Sequence, residues 1–350
     1  MSVMWELPDF DGHEAVHFFH DAETGLSAIV ALHSTHLGPG AGGTRFWHYE
    51  NQETAVTDAL RLSRGMSFKN AMAGLPMGGG KAVILADRNR TKTPEMLAAF
   101  GRMIESLGGK YVTAEDVGMT AADMVALTKE TNFVSGLPVE NSGEAGGDPG
   151  PFTAMGVYLG VKAAVRYKLG RDDMEGVHVA IQGVGSVGGG LARLLAKDGA
   201  ELSIADINKD YANDLANEIG ADVVGLDEIM RIEADVFSPN ALGAILDKVS
   251  IAHLNVPIVA GGANNQLATP EDGQRIFDRD ILFAPDYVIN SGGIISVALE
   301  YLDSGDVEDV NSRVALIPDR LTKIWEESAT AKLPSAEVAD NMARKLIGRG

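Results

Sequence analysis

Two lysines lie in the glycine-rich GMSFKNAMAGLPMGGGK (65–81), Lys69 and, directly after Gly78–Gly80, Lys81. A lysine held in a cleft that sheds water has its charged form disfavoured, so it can serve as a base near neutral pH. Downstream, TAEDVG (113–118) supplies Glu115 and Asp116, and a carboxylate beside such a lysine completes an acid/base pair. An isolated lysine reads as a solvated surface cation. Two of them beside a triple glycine, with Asp116 to follow, read as proton-transfer chemistry. The stretch does not fit a phosphate loop: Gly74 and Gly80 are separated by five residues, Ala82 follows Lys81, and the strand comes after the glycines. A phosphate loop needs a spacing of about four, then Ser or Thr, and follows its strand.

A second constellation is GVGSVG (183–188), in which Gly183, Gly185 and Gly188 match the dinucleotide fingerprint. The pattern alone is weak, but here it follows an apolar strand, opens a helix and precedes Asp206 at the end of the next strand. Gly183 makes the turn, Gly185 lets a pyrophosphate approach the backbone, and Gly188 lets helix and strand pack closely. Ser186 and Val187 open the helix whose N-terminus faces the phosphates. Asp206 would accept from a ribose 2′-hydroxyl and repel a 2′-phosphate, which favours NAD over NADP. Other candidates carry less. His13, His17 and His20 look like metal ligands, but His17 and His20 point to opposite faces of the strand expected there, so they read as surface or interface histidines and no metal site is expected. There is no G-x-S-x-G nucleophile elbow.

Positioning these groups needs an ordered scaffold. Val16–His20 and Leu26–His33 flank the turn-rich 21–25 and read as a hairpin. Glu53–Arg64 reads as a helix ended by Gly65, Lys81–Leu85 as a short buried strand and Pro94–Leu107 as an amphipathic helix. The aperiodic SGLPVENSGEAGGDPGP (135–151) reads as a hinge. Strand and helix then alternate: a helix over Phe152–Tyr167, a strand over Val177–Gln182, a helix over Val187–Lys197 and strands at Glu201–Ala205, Asp235–Ser238, Pro257–Ala260 and Tyr287–Ile289. That alternation predicts a doubly wound parallel sheet. The expected fold is α/β, in two domains with a deep cleft. An N-terminal α/β substrate domain (1–140) carries the lysines, a Rossmann-type NAD-binding domain covers 141–324, and the C-terminal helices (325–350) could pack back on the first.

Composition narrows the function classes. The 350 residues carry a formal net charge of −20, which repels phosphate backbones and anionic lipid, so neither nucleic acid nor membrane is an expected partner. No run is long and apolar enough to span a bilayer, and the first residues show no secretory signal. With no cysteine, disulfides, thiolate metal sites and cysteine nucleophiles are excluded. A cytoplasmic protein is expected.

Across GPGAGGTRFW (38–47), RLSRGMSFKNA (61–71), GLPMGGGKAVI (74–84), TAEDVG (113–118), QGVGSVG (182–188), ADIN (205–208), GGANNQLA (261–268) and APDYVINSGGII (284–295), the chain resembles the leucine/phenylalanine/valine dehydrogenases, relatives of glutamate dehydrogenase. The resemblance implies NAD-dependent oxidative deamination of an L-amino acid to a 2-oxo acid and ammonia, and a homo-oligomer. It implies that Lys69 and Asn265 hold the substrate carboxylate, with Gly42 and Gly43 beside it, that Lys81 polarises the reacting centre and activates water, and that Asp116 shuttles protons. Asn264 would lie by the nicotinamide ribose, near Asn240 and Ala241, and Asn240 stands where the family commonly has a cysteine. The family's side-chain positions fall on Ala41, Met66, Ala114, Ile294 and Val297, all apolar, which argues against glutamate. Ile294 and Val297 resemble leucine-preferring members and Ala41 resembles phenylalanine-preferring ones, so a branched-chain aliphatic substrate (leucine, valine or isoleucine) is expected, with phenylalanine or a broader hydrophobic range as the alternative. A 2-hydroxy-acid dehydrogenase fits less well, since His253 has no acidic partner nearby in sequence. A non-catalytic NAD-binding protein would not need Lys69, Lys81 and Asp116 together.

Overall fold

The computed structural model describes residues 4–7, 9–89, 91–139 and 143–350. The chain divides into two units, Met1–Asp148 with Val297–Val307 and Ala343–Gly350, and Pro149–Ser296 with Glu308–Met342. The boundary expected at 140/141 lies outside the described residues. The segment leading up to it is tied into the first unit, where the Glu300 carboxylate accepts the N–H groups of Gly136 (2.8 Å) and Leu137 (2.9 Å). Two departures follow. Residues 297–307 belong with the first unit and not with the second, and of the C-terminal helices only Ala343–Gly350 joins the first unit.

The first unit is a mixed sheet between two helical layers. Its strands are β1 (Ala15–Asp21), β2 (Leu26–Ser34), β3 (Gly40–Ala41), β4 (Thr44–Trp47), β5 (Gly78–Leu85) and β6 (Tyr111–Val112). The order is β1-β2-β5-β3-β6, with β4 also paired to β5. Strand β2 is apolar on both sides. Leu26, Ala28, Val30 and Leu32 face the core shared with α2 (Pro94–Ser106) and α3 (Ala121–Leu127), while Ile29 and Ala31 face α1 (Gln52–Met72).

Helix α1 does not stop at Gly65. It runs on to Met72, because Gly65 keeps an ordinary helical φ and a glycine ends a helix only when it turns left-handed. What carries it past Gly65 is a stripe of small buried residues, Ala55, Ala59, Ser63, Ser67 and Ala71, laid along β5. Strand β5 correspondingly begins at Gly78 and not at Lys81. The triple glycine is therefore strand, and it brings helix and sheet together: a Cβ on Gly79 would lie under 3.0 Å from the backbone nitrogen and hydroxyl of Ser67. His13 is buried and not a surface residue, its Nε2 lying 3.0 Å from the Leu60 carbonyl and 3.1 Å from the Ser63 hydroxyl of α1.

The second unit is a parallel sheet of β7 (His178–Gln182), β8 (Glu201–Ala205), β9 (Asp222–Val223), β10 (Val236–Pro239), β11 (Ile258–Val259) and β12 (Leu282–Phe283), in the order β12-β11-β10-β7-β8-β9. Between and around the strands run α4 (Gly150–Leu169), α5 (Ser186–Lys197), α6 (Lys209–Ile219), α7 (Lys248–His253) and α8 (Pro270–Asp278). The order reverses at β7 and β10, the switch point beside which open α/β sheets bind ligands at the strands' carboxyl ends. The strand expected at Tyr287–Ile289 is instead a short helix, α9 (Asp286–Ile289), followed by α10 (Gly292–Tyr301). Pro285 precedes it, and Asp286 in its first turn accepts the Gln266 N–H at 2.8 Å. A short apolar run does not distinguish strand from helix by periodicity alone. Helices α11 (Val307–Val314), α12 (Ile317–Ala331) and α13 (Ser335–Leu346) complete the chain. Among the described residues no helix is long and apolar enough to cross a membrane.

Candidate functional site

Lys81 projects from β5 at 5% exposure, and its Nζ lies 2.6 Å from Oδ2 of Asp116. The loop that carries Asp116 is held against β4 by two backbone bonds of 2.9 Å, Thr44 N–H to the Ala114 carbonyl and Phe46 N–H to the Val117 carbonyl. Burial pushes the Lys81 ammonium below the ordinary lysine value, and the attraction of Asp116 restores only part of the loss. Burial alone would raise the Asp116 carboxyl, but Lys81, Arg45 and a backbone N–H outweigh it and hold the group below the usual carboxylate range. An ionised, partly buried carboxylate thus touches a weakened, buried ammonium. Such a pair can take up and release a proton.

Three residues that the sequence reading did not single out back this pair. Arg45 on β4 donates through Nε to the same Asp116 Oδ2 at 3.1 Å and through Nη1 to Asp58 Oδ2 at 2.8 Å. Tyr49 donates its hydroxyl proton to that Asp58 oxygen at 2.6 Å. The only sequence signal for Arg45 is a charge alternating with the buried Thr44 and Phe46 of β4, and nothing in the sequence links it to Asp58 on α1.

Around the pair, Gly42 and Gly43 are packed from both sides. A Cβ on Gly42 would meet the Gly80 carbonyl and the Met66 side chain, and one on Gly43 would meet the Glu115 carbonyl and Asp116. Tyr111 donates its hydroxyl proton to the Gly42 carbonyl at 2.6 Å. Ala41 on β3 pairs with Gly79 and with Val112. Ala114 is half-buried one residue before Glu115, and Lys69 is half-buried in the last turn of α1, the turn after Met66. The first unit therefore brings Gly42, Gly43, Met66, Lys81 and Asp116 together, with Ala41, Ala114 and Lys69 on the adjoining segments.

The second unit gathers another group at the carboxyl ends of its strands. Gly183 follows β7 with φ +84°, a left-handed turn, and a Cβ on Gly188 would strike the Gly183 carbonyl. Gly185 differs: a Cβ there would meet nothing within 4 Å, so no protein neighbour requires the glycine. Helix α5 starts at Ser186 and Val187 without a side-chain cap, leaving its first N–H groups for an anion. Asp206 uses both oxygens at the turn, accepting the Val184 N–H and the Asn208 N–H, each at 2.8 Å.

Asn240 joins two strand ends. Its amide donates to the Ser238 carbonyl (2.9 Å) and hydroxyl (3.0 Å), while its oxygen accepts the Gly262 N–H at 2.8 Å. The departure from cysteine thus has a structural account, and Ala241 beside it packs where a Gly183 Cβ would lie. Asn265 is exposed and left-handed at φ 51°, and its carbonyl accepts the Ala244 N–H. Asn264 accepts at 2.8 Å from Asn290, which is buried and also donates to the Gly262 carbonyl at 3.1 Å. Ile294 and Val297 are half-buried one turn apart on α10, and the division between the units falls between Ser296 and Val297.

Comparison with known proteins gives a consistent picture. Residues 13–133 match the Glu/Leu/Phe/Val dehydrogenase dimerisation domain, and residues 204–343 match the glutamate/leucine/phenylalanine/valine dehydrogenase domain. The chain is 45% identical to the leucine dehydrogenase of Geobacillus stearothermophilus over 96% of its own length and 90% of that enzyme's. It is 43% identical to the valine dehydrogenase of Streptomyces albus over 97% and 93%. Among solved structures it superposes on the L-tryptophan dehydrogenase of Nostoc punctiforme with a TM-score of 0.85 at 39% identity, covering 96% of each chain.

Proposed function

The chain belongs to the glutamate/leucine/phenylalanine/valine dehydrogenase family and is an amino-acid dehydrogenase with a nicotinamide cofactor, and we propose that it interconverts an apolar L-amino acid and its 2-oxo acid with NAD, preferring branched-chain aliphatic substrates. The observation that carries the reading is the 2.6 Å contact of the buried Lys81 with Asp116. In the oxidative direction Lys69 holds the substrate carboxylate, with Gly42 and Gly43 leaving room beside it. Lys81 as a neutral amine draws a proton from water attacking the α-carbon of the imino acid. Asp116 moves protons to and from the substrate nitrogen as ammonia leaves. When bound, the cofactor supplies the acceptor for the α-hydride.

The second unit fits a dinucleotide. Gly185 has open space where a Cβ would stand, the N-terminus of α5 lacks a side-chain cap, and Asp206 offers negative charge where a 2′-phosphate would have to sit. Asn264 and Asn240 lie on the same rim. Replacing Asp206 by Ser is expected to lower the NAD/NADP ratio of kcat/KM by about 10-fold or more, since one repelling charge disappears. The ratio is the proper readout, because the variant also loses two backbone contacts of the turn and binds both cofactors less tightly. An unchanged ratio would move the discrimination to another residue.

The apolar set Ala41, Met66, Ala114, Ile294 and Val297 supports an apolar side chain, and the identities to leucine and valine dehydrogenases support a branched one. A second reading, an aromatic substrate, is favoured by the small Ala41 and by the likeness to a tryptophan dehydrogenase. The test is NADH formation at alkaline pH with leucine, valine, isoleucine, phenylalanine, tryptophan and glutamate. Leucine or valine is expected to exceed phenylalanine by about 10-fold or more in kcat/KM, the scale on which a hydrophobic pocket discriminates. Phenylalanine or tryptophan ahead would make the space at Ala41 decisive, and silence with NADH still bound would leave a nucleotide-binding protein. The match to a dimerisation domain supports a homo-oligomer.

A further inference from the structure

We propose that Arg45 is a positioning residue of the reaction: anchored from behind by Asp58 and Tyr49, its guanidinium keeps Asp116 an anion while Lys81 passes between ammonium and neutral amine. The proposal rests on Lys81 acting as the base. The geometry behind it is a shared oxygen. Asp116 Oδ2 receives Lys81 Nζ at 2.6 Å and Arg45 Nε at 3.1 Å. With Lys81 alone, the nearest acceptor for a departing proton would be the carboxylate itself, and a neutral amine beside a neutral acid is the cheaper state in a dry site. That transfer would leave Asp116 protonated and unable to take a proton from the substrate. A guanidinium is permanently charged at any working pH, so with Arg45 on the same oxygen the carboxylate retains a cation after Lys81 has lost its proton.

Arginine suits this place because its fork serves two carboxylates at once. Nε takes Asp116 from the loop after β6, and Nη1 takes Asp58 from α1 at 2.8 Å. The Tyr49 hydroxyl at 2.6 Å from Asp58 Oδ2 completes the backing. Burial would weaken the Arg45 charge, but Asp116 and Asp58 together raise its affinity for the proton above the ordinary arginine value. The charged groups acting on Lys81 are Asp116 from the loop, Arg45 from β4 and Asp58 from α1. Tyr111 on β6, pushed up to about 12 chiefly by burial, stays neutral. Tyr49, raised by burial and by its bond to Asp58, does likewise.

Arg45 and Asp58 act on Lys81 with opposite sign, Arg45 lowering its proton affinity and Asp58 raising it. That opposition gives a test which loss of structure alone would not mimic. The acidic limb of kcat/KM for amino-acid oxidation should sit about one pH unit higher in Arg45→Gln and shift lower in Asp58→Asn. Arg45→Lys, which restores the charge, should bring the limb back towards its original position. A parallel readout needs no turnover: Lys81 acylation, followed by peptide mass spectrometry, reports its neutral fraction, which at pH values below the limb should rise in Arg45→Gln, where the Lys81 proton passes to Asp116, and fall back in Arg45→Lys. Limbs of the two variants that move in the same direction or not at all, or a Lys81 neutral fraction that does not rise in Arg45→Gln, overturn the proposal. Should Arg45→Gln fail to fold, Asp58→Asn decides: a downward shift supports the proposal, and an upward or absent one overturns it. If the unaltered protein oxidises no amino acid, the dehydrogenase reading fails separately, while the labelling still judges Arg45.

Discussion

Lys81→Ala is expected to lose about 10³-fold or more of amino-acid-dependent turnover, with NADH affinity within a few-fold of the unaltered protein. The expectation follows from where the side chain is and what it touches. Lys81 is buried against Asp116 in the first unit, and the glycine turn that fits a dinucleotide lies in the second. Alanine removes the amine that must lose a proton and also takes one cation off Asp116 Oδ2 while the Arg45 contact stays. Charge and proton transfer therefore change together, and a second variant separates them. Lys81→Arg keeps a cation facing Asp116, but a guanidinium does not deprotonate at working pH. It should be nearly as inactive as Lys81→Ala while retaining more of the protein's thermal stability. Turnover is read from NADH formation and nucleotide affinity from the fluorescence of titrated NADH. Substantial activity in Lys81→Arg would sink the role as a base. A loss of NADH affinity matching the loss of turnover would mean that the lysine serves the nucleotide.

Where the sequence was legible, local chemistry decided the structure. The β1–β2 hairpin follows from two apolar runs around a turn-rich pentapeptide, and β7, α5 and β8 follow from an apolar strand, a glycine turn and a periodic helix. Lys81 and Asp116 could be connected because a buried ammonium needs a counter-charge and the sequence offers one beside a glycine. What stayed hidden depends on surfaces that meet only after folding. Gly65 looks like a helix stop, yet α1 passes through it because Ser63, Ser67 and Ala71 have a sheet to lie on. Gly78–Gly80 look like a turn or a ligand approach, and they are strand because that helix comes so close. The Arg45–Asp58 pair links β4 to α1 across a separation that no periodicity records. Tyr287–Ile289 has strand-like composition and becomes α9 because Pro285 and the Asp286–Gln266 bond set its first turn.

The close approach of α1 to β5 makes two glycine substitutions diverge sharply. Gly79→Ala is expected to destabilise the protein by about 1–3 kcal/mol or more, the scale of overpacking in a filled core. The added Cβ would come under 3.0 Å from the Ser67 backbone nitrogen and the Ser63 carbonyl, and backbone cannot rotate away as a side-chain tip can. Relief requires α1 to shift off the sheet, and α1 carries Met66 and Lys69 in its last two turns. The variant should therefore also raise KM for the amino acid, with nucleotide affinity little altered. Gly65→Ala is the control on the same helix. Its Cβ meets nothing within 4 Å, so the change should stabilise by about 0.5–1 kcal/mol through helix propensity and a less flexible unfolded chain. Thermal melting of both variants, with KM for the preferred substrate, checks the pair. Destabilisation confined to Gly79→Ala, with KM raised only there, would tie the triple glycine to placing α1 over the sheet. Equal stability of the two would mean that α1 and β5 can separate without cost, and the small-residue stripe would then need another explanation.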